Sequence, residues 1–252
     1  MCTLALLLQP GLLAVSGNRN ERLDRPASPP AVRGGVLAPR DESAHGTWLG
    51  LNRHGLFVCI TNRTLAVVDP SRRSRGLLVG DALQARSALA LHAELSRLDA
   101  RLYNGFHLVY ADLRGAFVTV GTGSALEQHA LAAGALHVIT ERSFGAGEGE
   151  RERTAKADFA DAWDPIRRAG PGVPGPLTAS GLLPWREPMR RHADAPLESA
   201  CVHADGFGYG TRSSLQLCLR EDAAAALWTD GHPCRNPARD LSPLLAQLRG
   251  PG

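Results

Sequence analysis

Apolar positions are concentrated in two short runs at the start of the chain. Residues 2–8 (CTLALLL) and 12–17 (LLAVSG) are mostly apolar, and Gln9-Pro10-Gly11 separates them. A proline–glycine turn between two short apolar runs is typical of a β-hairpin whose strands are buried on at least one face. Such a hairpin would return the chain so that Arg19 lies beside Cys2.

Residues 46–52 and 56–62 repeat this pattern, with Arg53-His54-Gly55 as the tight turn between them. Together with the first hairpin they predict a run of four adjacent strands, most simply antiparallel. Residues 22–39 are rich in arginine, proline, alanine and glycine and show no apolar periodicity. We therefore expect an irregular loop in this part of the chain.

The apolar period changes after residue 78. Between residues 79 and 98 the apolar side chains fit one face of a single helix, and Asp81 lies near its predicted start, where the helix dipole favours an acidic group. Strand character then returns in short segments. The predicted elements are strands at 105–111, 116–120 and 136–140, and a second helix at 151–163 with Ala155, Phe159 and Trp163 on one face.

Prolines and glycines dominate residues 165–197, which we predict to be an irregular loop, a surface insertion or a lid. No linker divides the chain, and 252 residues with 44% hydrophobic content are enough for one large core, so we predict a single domain, 1–252. Early hairpins, central helices and late strands predict an α+β protein. The late strands are expected at 199–203, 213–219 and 224–229, before a polar tail.

The charge distribution does not favour a nucleic-acid partner. The formal net charge is only +3, and the basic stretches at 71–75 and 190–191 are short and lack interleaved aromatic residues. No stretch approaches the roughly 18 apolar residues of a membrane span. The first apolar run is too short for a signal peptide and is broken by Pro10 and Gly11. These patterns predict a cytoplasmic protein with no transmembrane segment.

The cysteine and histidine spacings indicate neither a disulfide framework nor a metal site. The five cysteines form no CxxC pair and leave one unpaired, which favours free thiols in a reducing compartment. His203 with Asp205, and His232 near Cys234, show no recognised zinc spacing. We therefore predict no metal site.

Cys2 is the strongest candidate for a catalytic nucleophile. Methionine is normally removed before a small second residue, and removal of Met1 would leave Cys2 with both a thiol and a free α-amine. This amine, with a reference pKa of about 8, can take the proton of the thiol, so one residue supplies nucleophile and base. The competing interpretation of Cys2 is a small buried residue in an edge strand.

Three further residues are candidates for the same site. A cation such as Arg19 beside Cys2 would favour the thiolate. The Asn62 amide, at the end of a predicted strand, could stabilise an oxyanion that develops on a substrate carbonyl. Arg212 follows a glycine-rich segment that would let the backbone approach a ligand closely, although the residues alone favour a surface arginine at a turn.

Several motifs, in the same order along the chain, resemble those of the NRDE family, which includes the transport and Golgi organisation 2 proteins. This resemblance implies an N-terminal-nucleophile (Ntn) hydrolase fold, a four-layer αββα sandwich. The motifs are Met1-Cys2-Thr3, Asn18-Arg19-Asn20-Glu21, Gly46-Thr47-Trp48-Leu49-Gly50, Thr61-Asn62, Ser74-Arg75-Gly76, Tyr103-Asn104-Gly105-Phe106 and Gly208-Tyr209-Gly210-Thr211-Arg212.

The chain is also distantly similar to cysteine amidases of the choloylglycine hydrolase and penicillin V acylase group. The resemblance matches Cys2 to the nucleophile, Arg19 to an early arginine, Asn62 to the first of two asparagines that serve the oxyanion or orient the amine, and Arg212 to a late arginine. Two positions depart from the pattern. Asn20 replaces an aspartate and leaves Glu21 as the nearest carboxylate, and Glu141 aligns loosely with a second asparagine.

The resemblance implies two functions. One is a cysteine amidohydrolase or acyltransferase that acts on an amide or thioester and needs no cofactor, with Cys2, Arg19, Asn20, Glu21, Asn62 and Arg212 as site residues. The alternative is a non-catalytic protein that binds or carries haem or an acyl lipid. A purely structural or interaction protein is a third interpretation, which would bind neither an acyl probe nor haem.

Overall fold

The computed structural model describes residues 2–64, 68–147, 149–169 and 176–249. Two antiparallel sheets share a core, and helices cover their outer faces. The strands are β1 Cys2–Gln9, β2 Leu12–Arg22, β3 Ala27–Arg33, β4 Val36–Asp41, β5 Leu49–Asn52, β6 Phe57–Asn62, β7 Phe106–Ala111, β8 Ala116–Gly121, β9 Leu126–Ala130, β10 Leu136–Ile139, β11 His203–Ala204, β12 Tyr209–Arg220, β13 Ala224–Asp230 and β14 Arg239–Asp240; the helices are α1 Arg75–Ala82, α2 Ala88–Leu95, α3 Glu150–Ala162, α4 Asp164–Ala169, α5 Leu183–Arg190 and α6 Ser242–Arg249.

The first hairpin lies inside the first sheet, whose strand order is β10-β1-β2-β12-β13-β14, with β11 paired to β12. Leu4 and Leu6 of β1 pack into the core between the sheets, whereas Ala5 and Leu7 pack against the helical layer that contains α3 and α5. Because both faces of this strand are buried, its apolar run is unbroken rather than alternating.

The second sheet has the order β3-β4-β5-β6-β7-β8-β9. Helices α1 and α2 pack against it, where α1 contacts β6 and α2 contacts β8. The resulting layers are helices, sheet, sheet and helices, so the α+β class and the αββα arrangement are confirmed. Among the described residues, no helix is long and apolar enough to cross a membrane.

The expectation of four adjacent strands is wrong in its connectivity. Strands β1 and β2 belong to the first sheet, and β5 and β6 to the second. The predicted loop at 22–39 instead contains the hairpin β3–β4, which turns at Gly34 and Gly35, both with positive φ. Strand β3 carries two prolines because it is an edge strand with irregular register, where a missing N–H costs no ladder hydrogen bond.

The single helix expected at 79–98 is two helices, and Asp81 lies in the last turn of α1, not near a helix start. Asn52 interrupts the helical ladder, since its side-chain amide donates to the carbonyls of Leu83 (3.0 Å) and Ala85 (2.7 Å). The second helix then begins at its own cap, where the Ser87 hydroxyl accepts from the Ala90 N–H at 3.1 Å.

Three further segments differ from the sequence expectations. The proline-rich stretch contains α4 and α5, and Trp185 and Met189 of α5 are buried against the first sheet; residues 170–175 lie outside the described part. The polar tail contains α6, whose Leu245 and Leu248 are buried. Of the strand expected at 199–203, only His203 lies in a strand, the two-residue β11. The other strands expected after residue 100 and the helix expected at 151–163 are confirmed. The edge strand β9 was not predicted, because its half-exposed residues show no apolar pattern.

Candidate functional site

The register of the first hairpin places Cys2 directly opposite Arg19. Cys2 is half-buried, and Arg19 is only 5% exposed. The two residues lie at the open end of the hairpin, remote from the Pro10-Gly11 turn. The prediction that the hairpin brings them together is therefore confirmed.

A cleft of about 180 Å³ opens at this end of the hairpin, and we call it the Cys2 cleft. Its walls come from β2, the end of β6, the segment before α1 and the start of α1. The structure brings five of the predicted site residues to it, namely Cys2, Arg19, Asn20, Glu21 and Asn62. Other residues that line it include Arg25, Asp41, Trp48, Arg72, Arg73, Arg75 and Asn104.

Arg19 is held by two carboxylates and one aromatic ring. Its Nη2 lies 3.0 Å from Asp41 Oδ2 and 3.7 Å from Glu21 Oε2, and its guanidinium carbon lies 4.1 Å from the ring centroid of Trp48. Burial lowers the pKa of Arg19 from its ordinary value, against the opposing effects of Glu21, Cys2 and Asp41. These contacts fix the guanidinium beside Cys2 and offset its charge.

Asp41 is the carboxylate that the sequence analysis missed. It accepts hydrogen bonds from Arg19, from Arg25 Nε at 2.7 Å, and from the backbone N–H groups of Ser43 (3.1 Å) and Ala44 (3.0 Å). Burial alone would raise the pKa of Asp41, but the hydrogen bonds from Arg25 and Ala44 and the nearby arginines outweigh it, so the pKa lies below its ordinary value.

The Asn20 side chain joins β2 to β12. Its Oδ1 accepts from the Thr211 hydroxyl at 2.7 Å, and that hydroxyl accepts from the Val202 N–H at 2.8 Å. An aspartate could accept the same bond, so asparagine preserves this link while removing a negative charge. The backbone carbonyl of Asn20 accepts from Tyr209 Oη at 2.7 Å; burial, together with the charges of Cys2 and Glu21, raises the pKa of Tyr209 above its ordinary value.

Arg75 supplies a second guanidinium to the Cys2 cleft. Its Nη1 donates to the Gly105 carbonyl at 2.9 Å, and none of the carboxylates in the described ranges forms an ion pair with it. Burial lowers its pKa, whereas the nearby Cys2 and Glu21 raise it. Arg75 therefore provides positive charge beside Cys2, and no carboxylate among the described residues neutralises this charge by an ion pair.

A contact between two glycines sets the position of Arg75. The backbones of Gly46 and Gly76 are so close that a Cβ added to Gly46 would lie 2.4 Å from the carbonyl carbon of Gly76. In addition, the Thr47 N–H donates to the Gly76 carbonyl at 3.1 Å. The glycines of two motifs thus allow the segment before β5 to pack directly on the first turn of α1.

Replacing Gly46 with alanine is expected to lower the free energy of unfolding by about 1–3 kcal/mol, because backbone atoms must move to accept the new methyl group. The matched control is Gly80→Ala in α1, the helix that Gly46 contacts through Gly76, because an added Cβ at Gly80 meets nothing within 4 Å. In urea unfolding the control should be neutral or slightly more stable, since alanine favours the helix over glycine. Equal stabilities of the two variants would contradict the close-packing argument.

Arg212 does not line the Cys2 cleft. It lies at an irregularity in the pairing of β12 with β2, and its guanidinium donates to the backbone carbonyls of Leu23 and, at 3.2 Å, Arg25. It lines an adjoining cavity of about 520 Å³, which shares Arg19 and Trp48 with the Cys2 cleft. We call it the second cavity.

Glu141 lies outside the residues that line the Cys2 cleft and is neutralised by an ion pair with Arg151. Both side chains are almost fully buried. Glu141 therefore does not present an unpaired carboxylate to a substrate oxyanion. Its backbone carbonyl also accepts from the Thr64 N–H at 2.9 Å.

A known family model matches the part of the chain that lines the Cys2 cleft. Residues 1–164 match the model described as Transport and Golgi organisation 2. The chain belongs to this family. Curated Transport and Golgi organisation 2 homologues from Mus musculus and Bos taurus are 31% and 32% identical to it over 107 residues, or 40% of this chain. The match spans only 39% of the length of each relative. The family membership rests on residues 1–164, which match the family model.

Solved structures of Ntn-hydrolase amidases share the fold. A variant of conjugated bile acid hydrolase from Clostridium perfringens superposes with a TM-score of 0.57 at 12% identity, covering 100% of this chain and 95% of that one. A Caenorhabditis elegans orthologue of N-acylethanolamine-hydrolyzing acid amidase gives a TM-score of 0.51 at 14% identity, covering 86% and 92%. At such identities the similarity establishes the Ntn-hydrolase fold and nothing finer.

Proposed function

We propose that this Transport and Golgi organisation 2 family protein, after removal of Met1, is a cysteine amidohydrolase or acyltransferase that acts on a small amide or thioester. The observation that carries the proposal is Cys2, half-exposed in a polar cleft, opposite a buried arginine whose own charge is offset by Asp41 and Glu21. The fold relatives, whose names describe hydrolysis of N-acylethanolamine and of conjugated bile acids, support the same class of reaction.

In this reaction the α-amine of Cys2 takes the thiol proton, and the sulfur attacks the substrate carbonyl carbon. Asn62 and Arg75 line the cleft and serve as donors to the negative oxygen that forms. The carbon–nitrogen bond then breaks, the α-ammonium returns its proton to the leaving amine, and a thioester to Cys2 remains. Water, or an acceptor amine in the acyltransferase case, attacks this thioester and restores the thiol.

The surroundings of the cleft favour a substrate with a polar or anionic head group. Five arginines line its walls against three carboxylates. The arginines are Arg19, Arg25, Arg72, Arg73 and Arg75, and the carboxylates are Glu21, Asp41 and Asp69. The second cavity offers room for the remainder of the substrate. Its lining mixes polar groups with apolar side chains, namely Leu23, Ala27, Pro29, Trp48 and Trp228.

The decisive experiment combines intact mass and covalent labelling. The mature protein should lack Met1, and an electrophilic acyl probe should add once, at Cys2. Cys218 serves as an internal control, because burial raises the pKa of its thiol to about 12 and keeps it protonated at neutral pH. Retention of Met1, or an adduct that is absent from Cys2, would overturn the proposal.

The alternative proposal is binding of haem or an acyl lipid without turnover. The Cys2 cleft fits haem poorly: its volume of about 180 Å³ is below the roughly 300–1,000 Å³ of pockets that enclose a drug-sized ligand. Its lining residues include no histidine, and Cys2 is the one thiol among them. The arginines would nevertheless suit a carboxylate head group. A haem titration decides this alternative, since a saturable Soret shift that Cys2→Ala abolishes would favour it over hydrolysis.

A further inference from the structure

A second cluster of thiols and imidazoles lies on the far side of β12 from the start of the first hairpin. The Cys201 Sγ is 3.6 Å from the Cys234 Sγ and 3.5 Å from the His203 Nε2, and His203 Nε2 is 3.0 Å from the Cys234 Sγ. Cys201 is fully buried, whereas His203 and Cys234 are half-buried. Three soft ligand atoms therefore face one another within a few ångströms.

Two of these three separations, those of 3.6 and 3.5 Å from Cys201, are close to the edges of a tetrahedral zinc site, and the 3.0 Å between His203 Nε2 and Cys234 Sγ is shorter than such an edge. With zinc–sulfur and zinc–nitrogen bonds of about 2.3 and 2.0–2.1 Å, tetrahedral angles place two sulfurs about 3.8 Å apart and a sulfur and nitrogen about 3.5 Å apart. A disulfide would instead hold the two sulfurs about 2.05 Å apart. The observed sulfur–sulfur distance of 3.6 Å is therefore close to the distance expected for two sulfurs on one metal ion, and much longer than a disulfide bond.

His192 completes the cluster. Its ligand atom, that of His203 and the sulfur of Cys234 all lie within 4.8 Å of one another, and the His192 and His203 rings meet edge to face with centroids 5.0 Å apart. His192 is exposed and lies at the mouth of the site, whereas Cys201 forms its floor. Two thiolates and two imidazoles are the ligand set that structural zinc sites commonly use.

We propose that Cys201, His203, Cys234 and His192 bind one zinc ion. Binding removes the proton from each thiol and releases it to solvent, and the two thiolates balance the charge of the ion. Because all four positions are occupied by protein ligands, the site is structural rather than catalytic. The sequence predicted no metal site, since the four ligands come from three separate segments with no recognised spacing.

The backbone around the ligands is fixed independently of a metal. The Cys201 N–H donates to the Arg191 carbonyl at 2.9 Å, which sets the segment that carries His192 beside the one that carries Cys201. His203 pairs with Gly210 of β12. The buried Arg186 donates to the carbonyls of Pro233 (2.7 Å) and Asn236, and so holds the loop that carries Cys234.

Another possible ligand set shares only His203 with this one. The ligand atoms of His203, Asp205 and His232 also lie within 4.8 Å of one another. The His203 and His232 rings are stacked, with centroids 4.1 Å apart and an angle of 12° between their planes. We favour the set with two cysteines, because thiolates select zinc more strongly than a carboxylate does.

The test uses the full chain, purified under reducing conditions and freed of metal with a chelator. Titration with Co²⁺ alone should give thiolate-to-cobalt charge-transfer bands and intense visible bands of tetrahedral cobalt, saturating at one ion per chain, and Zn²⁺ should displace them. Cys234→Ser should weaken Zn²⁺ binding on the order of 100-fold or more, and His192→Ala about tenfold or more. Cys218→Ala, a buried thiol outside the cluster, should bind as the wild type does.

His192 is exposed, so its variant tests the site even where Cys234→Ser folds poorly. Zn²⁺ should also raise the melting temperature of the wild type and of Cys218→Ala, but not that of Cys234→Ser. Absence of cobalt bands in the wild type would overturn the proposal, as would bands that survive in Cys234→Ser and disappear in Asp205→Asn. A Cys201–Cys234 disulfide in the reduced preparation, found by mass spectrometry, would also overturn it.

Discussion

Replacing Cys2 with alanine is expected to lower turnover of a fluorogenic N-acyl-7-amino-4-methylcoumarin by on the order of 1,000-fold or more, to the level of the buffer reaction. In the proposed mechanism Cys2 supplies the attacking sulfur, and removal of a nucleophile eliminates the covalent route altogether. Alanine is also small, so Met1 is still removed and the α-amine is retained. The loss therefore reports on the thiol alone.

Two comparisons make this result specific. Cys218→Ala removes a buried thiol from β12 and should leave turnover unchanged. Protein that retains Met1, produced while methionine aminopeptidase is inhibited, should be as inactive as Cys2→Ala, because the amine then belongs to another residue. Equal turnover by Cys2→Ala and wild type would exclude Cys2 as the nucleophile, whereas turnover that needs the thiol but tolerates Met1 would exclude the α-amine as the base.

The parts of the fold that the sequence predicted well are those with local signals. The Pro10-Gly11 turn and the two apolar runs fix the register that sets Cys2 against Arg19. In contrast, the split between α1 and α2 depends on Asn52, whose side chain competes for helix carbonyls more than thirty positions along the chain. Such long-range hydrogen bonds leave no trace in the local periodicity.

The same distinction applies to the site. Asn20 in place of an aspartate left Glu21 as the apparent carboxylate partner of Arg19, yet Asp41 makes the closer contact, at 3.0 Å against 3.7 Å. Asp41 lies at the end of β4, just beyond residues 22–39, which were predicted to be an irregular loop, so its approach to Arg19 could not be inferred. Arg212 was placed in the site by resemblance, whereas the irregular pairing at Thr211 and Ser213 accompanies its position in the second cavity.

Replacing Asp41 with asparagine is expected to lower the free energy of unfolding by about 3–5 kcal/mol, measured by urea denaturation at pH 7. The Arg19 side chain is 4% exposed and the Asp41 side chain 10%, so the change leaves a buried guanidinium with only the more distant Glu21 as a charge partner. Asp99→Asn removes a carboxylate from a pair with Arg101 that is largely exposed, and should cost less than about 1 kcal/mol.

The pH dependence separates a charge effect from a packing effect. Because the pKa of Asp41 is lower in the folded protein, its contribution is fully present above the unfolded pKa of about 3.9 and is lost as the pH falls through the folded value. The stability difference between wild type and Asp41→Asn should therefore shrink when unfolding is measured below about pH 4. Adding Arg19→Met to Asp41→Asn should recover part of the loss at pH 7, since it removes the uncompensated charge. A pH-independent difference, with no recovery in the double variant, would show that Asp41 stabilises the cleft through its shape and hydrogen bonds to Ser43 and Ala44 rather than through its charge.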